Sequence, residues 1–91
     1  MIGRLVGKVV AEDIDGTVTL DVRGVGYDVK VPVGVLARAT SEAPGEIVLV
    51  VHTHVREGVF ELFGFASDME RKVFRLLIGV PNVGPKIAMG V

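Results

Sequence analysis

Five short runs of β-type sequence between residues 4 and 65, and a switch to helical periodicity at Ser67, predict a mainly β domain followed by a partial helical segment. Three observations carry this. Val and alternating apolar residues fill the runs, turn signals fall between them at short intervals, and the first clear helix-start signal comes only after residue 66. The chain has 91 residues, 49% hydrophobic and 23% charged, which is a globular composition with room for one modest core. With four Phe, one Tyr and no Trp, that core must be aliphatic.

The first run, Arg4 to Glu12, is Val-rich with one Gly. Asp15-Gly16 is a strong hairpin turn. Thr17 to Arg23 then alternates, with Val18, Leu20 and Val22 on one face and Thr19, Asp21 and Arg23 on the other. Gly24-Val25-Gly26 permits a tight bend, after which Tyr27, Val29 and Val31 alternate until Pro32 ends the strand. Gly34 to Ala39 suits a short helix or turn, and Pro44-Gly45 a turn. Ile47 to Val55 and Val59 to Phe65 read as strands joined across Glu57-Gly58. Ser67-Asp68-Met69-Glu70 is a capping box, and Met69, Val73, Leu76 and Leu77 recur at helical spacing. That helix should stop near Gly79, before Pro81. Asn82-Val83-Gly84 reads as a tight turn, and Pro85 as the first position of a second helix running to Val91. Five strands with a helical element between the third and fourth is the pattern of an OB-fold; a split β-sandwich or an SH3-like barrel shares the spacing.

Composition excludes several functions. The absence of cysteine removes disulfides, Cys-ligated zinc and thiol chemistry, and fits a reducing cytosol. The N-terminus lacks the apolar run of a signal peptide, and the aliphatic stretch Ile47 to Val51 is far short of the ~20 residues of a membrane span. A soluble, cytoplasmic protein without a membrane role is expected. Charge is uneven: residues 1–65 carry six Lys/Arg against nine Asp/Glu, whereas residues 66–91 carry Arg71, Lys72, Arg75 and Lys86 against Asp68 and Glu70. This is a mild sign that the C-terminal part meets an anion, but on charge alone a solvated helix surface is the favoured reading.

The one constellation with evident chemistry is Asn82, Val83, Gly84, Pro85 and Lys86. A capped helix, a Gly-containing turn and a new helix form a helix-hairpin-helix, whose free backbone N–H groups can meet a nucleic-acid phosphate while Lys86 adds a charge. An ordinary αα-hairpin corner is the plain alternative. Gly79 and Gly84 mimic P-loop spacing, but Pro85 follows where Lys should, and no Ser or Thr follows Lys86. His52 and His54 share a strand face but suggest no third metal ligand, so a solvent-facing pair is expected and no metal site. Glu12, Asp13 and Asp15 are most simply solvated, and Arg56-Glu57-Gly58 most simply an exposed hairpin tip. No catalytic residues and no cofactor are indicated.

Read together, Met1-Ile2-Gly3-Arg4-Leu5 with Gly7, Gly24-Val25-Gly26-Tyr27, Val55-Arg56-Glu57, Leu62-Phe63-Gly64-Phe65, Glu70-Arg71 with Phe74, and Val83-Gly84-Pro85-Lys86-Ile87-Ala88 resemble the RuvA family of Holliday-junction branch-migration subunits, in order and over the whole chain. The resemblance implies an OB domain at residues 1–64, forming the centre of a homotetramer, and the beginning of a helix-hairpin-helix DNA-binding domain at residues 65–91. It implies a non-catalytic subunit acting in recombination and repair. Its partners would be four-way junction DNA, the RuvB ATPase motor engaged through a C-terminal domain outside this chain, and the RuvC resolvase. It also gives Glu57 a role as an acidic pin at the tetramer centre, repelling phosphates at the crossover. Two departures stand out. Gly58 replaces a second acid frequent in the family, and Asn82, beside Pro81, replaces the first hairpin Gly; Asn tolerates a left-handed backbone. A pure assembly module and a single-strand-binding OB protein are the competing classes, the second disfavoured by the acidic barrel.

Overall fold

One strand, β1 (Arg4–Glu12), hydrogen-bonds to two neighbours in succession. Its first half pairs with β4 (Ile47–Arg56), Arg4 opposite Val50 through Gly7 opposite Ile47. Its second half pairs with β2 (Thr17–Val22), Lys8 opposite Asp21. The strand changes partner at Gly7, where any Cβ would fall on the Asp21 carbonyl. Only glycine permits that approach. A bulge between Val9 and Ala11 adds further curvature.

The remaining strands, β3 (Val25–Lys30) and β5 (Val59–Phe65), complete a closed barrel in the order β1-β2-β3-β5-β4. Closure is made by one parallel pairing, Lys30 opposite Phe63, reinforced by the Lys30–Glu61 ion pair. With α1 (Val35–Arg38) between β3 and β4, the architecture is the expected OB-like barrel. The computed structural model describes residues 1–39, 41 and 43–90; the predicted end of the second helix at Val91 lies outside them.

The barrel core is aliphatic, as composition required: Leu5, Val18, Leu20, Val29, Val35, Leu49, Val51 and Leu62 are buried together. Each such side chain contributes on the order of 1.5–3 kcal/mol by leaving water. Thr53 is buried among them, donating to the Ile2 carbonyl at 2.6 Å and accepting from the Ile2 amide at 3.0 Å. Both capacities of a buried hydroxyl are thereby met, and the N-terminus is tied to β4.

The β2–β3 turn differs from expectation. Arg23, predicted as strand, lies in the turn with φ +50°, and Gly24 follows with φ +93°. Two successive positive φ values between the paired Val22 and Val25 make a type I′ turn, whose twist matches the strands. The Asp21 carboxylate accepts the Gly24 amide at 2.8 Å, and Gly26 is an ordinary strand residue.

Candidate nucleic-acid interface

Helix α2 (Asp68–Ile78) starts as its sequence dictates. Ser67 Oγ accepts the Glu70 amide at 3.2 Å and donates to the Glu70 carboxylate at 3.1 Å. Phe74, rather than the predicted stripe, anchors the helix. It is 2% exposed and packs on Phe65 and Phe63 of β5, with ring centroids 5.0 and 5.2 Å away. Leu77 is half-buried beside it, while Met69, Val73 and Leu76 remain exposed.

Three side chains of α2 tie it to the barrel. Arg71 donates from one guanidinium nitrogen to the Gly3 and Val51 carbonyls, both at 3.0 Å, and from the other to Asp68 at 2.8 Å. Glu70 pairs with Arg38 of α1. Arg75 donates to His52 Nδ1 at 3.0 Å. The histidines are therefore half-buried rather than the solvent-facing pair expected. His52 packs edge-on against Phe74 at 5.5 Å, and His54 lies 6.2 Å from the Phe63 ring. Burial first, and then the charges of Arg75, His54 and Arg71, hold the His52 imidazole below its ordinary value. The Asp68 carboxyl is held down by Arg71 and Lys72, and the Glu61 carboxyl by Lys30. Among the described residues, no three His, Asp or Glu are grouped to hold a metal.

The basic excess of the C-terminal segment is thus largely engaged internally. Arg71 and Arg75 bind barrel groups, and Lys72 lies 3.4 Å from Asp68. Lys86 is the cation left exposed, without an ion pair or hydrogen bond among the described residues.

The hairpin that carries Lys86 follows from its residues. Gly79 caps α2, and the Val80 and Val83 amides bond back to Leu77 and Val80. Asn82 takes the left-handed conformation at φ +67°, so the departure from glycine is accommodated. Gly84 precedes α3 (Pro85–Met89) with no side-chain cap and open space around its Cα, so no side chain caps the first-turn N–H groups. Ala88 of α3 is buried against Phe63, Phe65 and Phe74, which fixes the hairpin on the barrel. Asn82, Gly84 and Lys86 are exposed; Val83 and Pro85 are half-buried.

Glu57 lies at the far end of the β4–β5 hairpin, exposed, in a two-residue turn with Gly58 at φ +74°. A cleft of about 580 Å³ separates α3 from the barrel. Lys86 and Pro85 line one side, and Arg56, Lys30 and Glu61 the other; Glu57 is outside it. The cleft was not legible in sequence, because its walls come from segments far apart in the chain. The period-2 register of His52, His54 and Arg56 was the one signal that the three share a face.

The chain is similar along its whole length to proteins named "Holliday junction branch migration complex subunit RuvA": 47% identical to that of Rhodopseudomonas palustris, 45% to that of Solidesulfovibrio magneticus and 43% to that of Thioalkalivibrio sulfidiphilus. It spans 43–45% of the length of these relatives. A model of the RuvA N terminal domain matches residues 1–64, the segment that forms the closed barrel apart from the last residue of β5. On that match, the chain belongs to the RuvA family.

Proposed function

We propose that the chain recognises four-way DNA junctions as part of a branch-migration complex in recombination and repair. The observation that carries this reading is the hairpin Asn82-Val83-Gly84-Pro85-Lys86, seated by Ala88 on a barrel of the RuvA family and presenting an exposed lysine. The hairpin amides and Lys86 take backbone phosphates, which positions a duplex arm without reading its bases. In this reading residues 1–64 are the assembling domain, and residues 65–91 begin the DNA-gripping one.

Four copies surround the crossover, and the Glu57 carboxylates repel its phosphates. The exposed pair Val55 and Phe60, facing each other across the β4–β5 hairpin, supplies apolar surface for such assembly. The subunit is non-catalytic, cytoplasmic and nucleoid-associated. The ATPase is the RuvB motor, bound through a part of the protein beyond this chain, and RuvC is the resolvase that follows. No described helix is long and apolar enough to cross a membrane.

The test compares a four-way junction with linear duplex of the same arm sequence, by fluorescence anisotropy at physiological salt. Tighter binding to the junction supports the reading. Equal affinity for the two overturns it.

A further inference from the structure

One imidazole on β4 supports two successive residues of α2. The His52 ring lies edge-on to Phe74, with centroids 5.5 Å apart, and its Nδ1 accepts the Nε hydrogen of Arg75 at 3.0 Å. Arg71 ties the first half of α2 to Gly3 and Val51, and Arg75 ties the second half to His52. The hairpin rides on the same helix. Phe74 is buried together with Ala88 of α3, two residues beyond Lys86. A line of contacts therefore runs from the barrel through His52 and α2 to the hairpin lysine.

The Arg75 bond exists only while Nδ1 keeps its lone pair. The charged and titratable groups acting on His52 are Arg75 and Arg71 of α2 and His54 of its own strand, while β5 presents Phe63 opposite it. Each of those three groups is basic, so a proton on Nδ1 removes the acceptor and sets positive charge against positive charge. His54 does not share the role. Its ring is 6.2 Å from that of His52 and edge-on to Phe63, and its Nε2 is buried without a hydrogen bond among the described residues.

We propose that His52 is a positioning residue for the helical hairpin: as a neutral acceptor it sets where Arg75, and with it α2 and Lys86, sits on the barrel, and a proton on the ring releases that setting. The effect on DNA rests on the DNA-binding reading above; the movement of the hairpin does not. Burial, and then the neighbouring charges, hold the imidazole below its ordinary 6.5, so the release falls on the acid side of that value.

The experiment follows the backbone amide shifts of the isotope-labelled 91-residue chain by NMR between about pH 7.5 and 5.5, the range in which an imidazole titrates. Junction affinity is measured over the same range at fixed salt. In wild type the amides of Val83, Gly84, Lys86 and Ala88 should shift with the midpoint of the His52 ring. His52→Asn keeps an acceptor and does not titrate, so its hairpin amides should stay at their high-pH positions. His52→Leu should hold them displaced at every pH, and His54→Asn should titrate as wild type does. Wild-type junction affinity should fall about fivefold across the range, the scale of one hydrogen bond, and that of His52→Asn should not. Circular dichroism checks each fold, and if His52→Leu melts early, Arg75→Met carries the comparison. Hairpin amides that ignore the ring, or that titrate alike in His52→Asn, overturn the inference and leave the proposed function standing. Hairpin amides that follow the ring at constant junction affinity uphold the positioning role and overturn the hairpin as the DNA grip.

Discussion

The Arg75 guanidinium donates its Nε hydrogen to Nδ1 of His52, 3.0 Å away, and so requires that nitrogen to be unprotonated. The imidazole also lies edge-on to Phe74, the buried anchor of α2. A proton on Nδ1 removes the bond and sets a cation against Arg75, with Arg71 close by. The folded His52 value lies below the ordinary 6.5, so the unfolded chain binds the proton first as pH falls. Stability contributed by neutral His52 is complete above about pH 6.5 and is lost as pH falls through the lowered folded value. Melting temperature should therefore drop between pH 7.5 and 5.5 by more in wild type than in His52→Asn, which keeps an acceptor and does not titrate. Parallel curves for the two proteins would remove His52 as the cause.

Arg71 is the principal polar tie between α2 and the barrel. Its removal takes a charged donor from the Val51 carbonyl of β4 and from the Gly3 carbonyl of the N-terminal segment, which keeps only the Val51 amide at 2.9 Å. A part-buried charged hydrogen bond is worth about 1.5–3 kcal/mol, so Arg71→Ala should cost about that much in urea unfolding. Arg71→Lys should recover only part of it, since an ammonium cannot fork to the carbonyls and to Asp68 as the guanidinium does. Equal stability of Arg71→Lys and wild type would show that the charge alone matters.

The barrel was legible in the sequence because its signals are local. Alternation at Val18, Leu20 and Val22, the turn glycines Gly16, Gly45 and Gly58, and the Ser67 capping box each act within a few residues, and each forms the expected element. What escaped depends on contacts between distant segments. Met69, Val73 and Leu76 have helical spacing, but Phe74 takes the buried place because β5 offers it the Phe63 and Phe65 rings. His52 is half-buried for the same reason, since α2 folds over it, while His54 is half-buried against Phe63 of β5. Lys86 was singled out from the hairpin motif, but the cleft it shares with Arg56 required the docking of α3.

Gly7 offers a direct test of how the barrel closes. A methyl group there meets the Asp21 carbonyl, which belongs to the backbone and cannot rotate away. Gly7→Ala must separate β1 from β2 just where β1 changes partner. The overpacking cost is about 1–3 kcal/mol, and amide exchange in β1 and β2 should accelerate before that in β4 and β5. Gly24→Ala, with open space around its Cα, suffers only the strain of its positive φ and should leave the exchange order unchanged.

Gly58 sets a limit on the acidic tip. Its φ of +74° disfavours a side chain, so Gly58→Asp adds a carboxylate beside Glu57 at a conformational cost of about 1 kcal/mol. The two effects separate in measurement: the strain reads in urea unfolding and the charge in DNA binding. If Glu57 repels phosphates, Glu57→Gln should raise affinity for linear duplex several-fold at low salt, and Gly58→Asp should lower it. Both differences should shrink by about 0.5 M salt, where screening acts over only a few ångströms and an exposed carboxylate no longer reaches a neighbouring phosphate. Junction affinity should respond less than duplex affinity, because an open crossover keeps its phosphates farther from the tip. A Glu57→Gln protein with unchanged duplex binding at low salt would leave the tip as a plain hairpin turn.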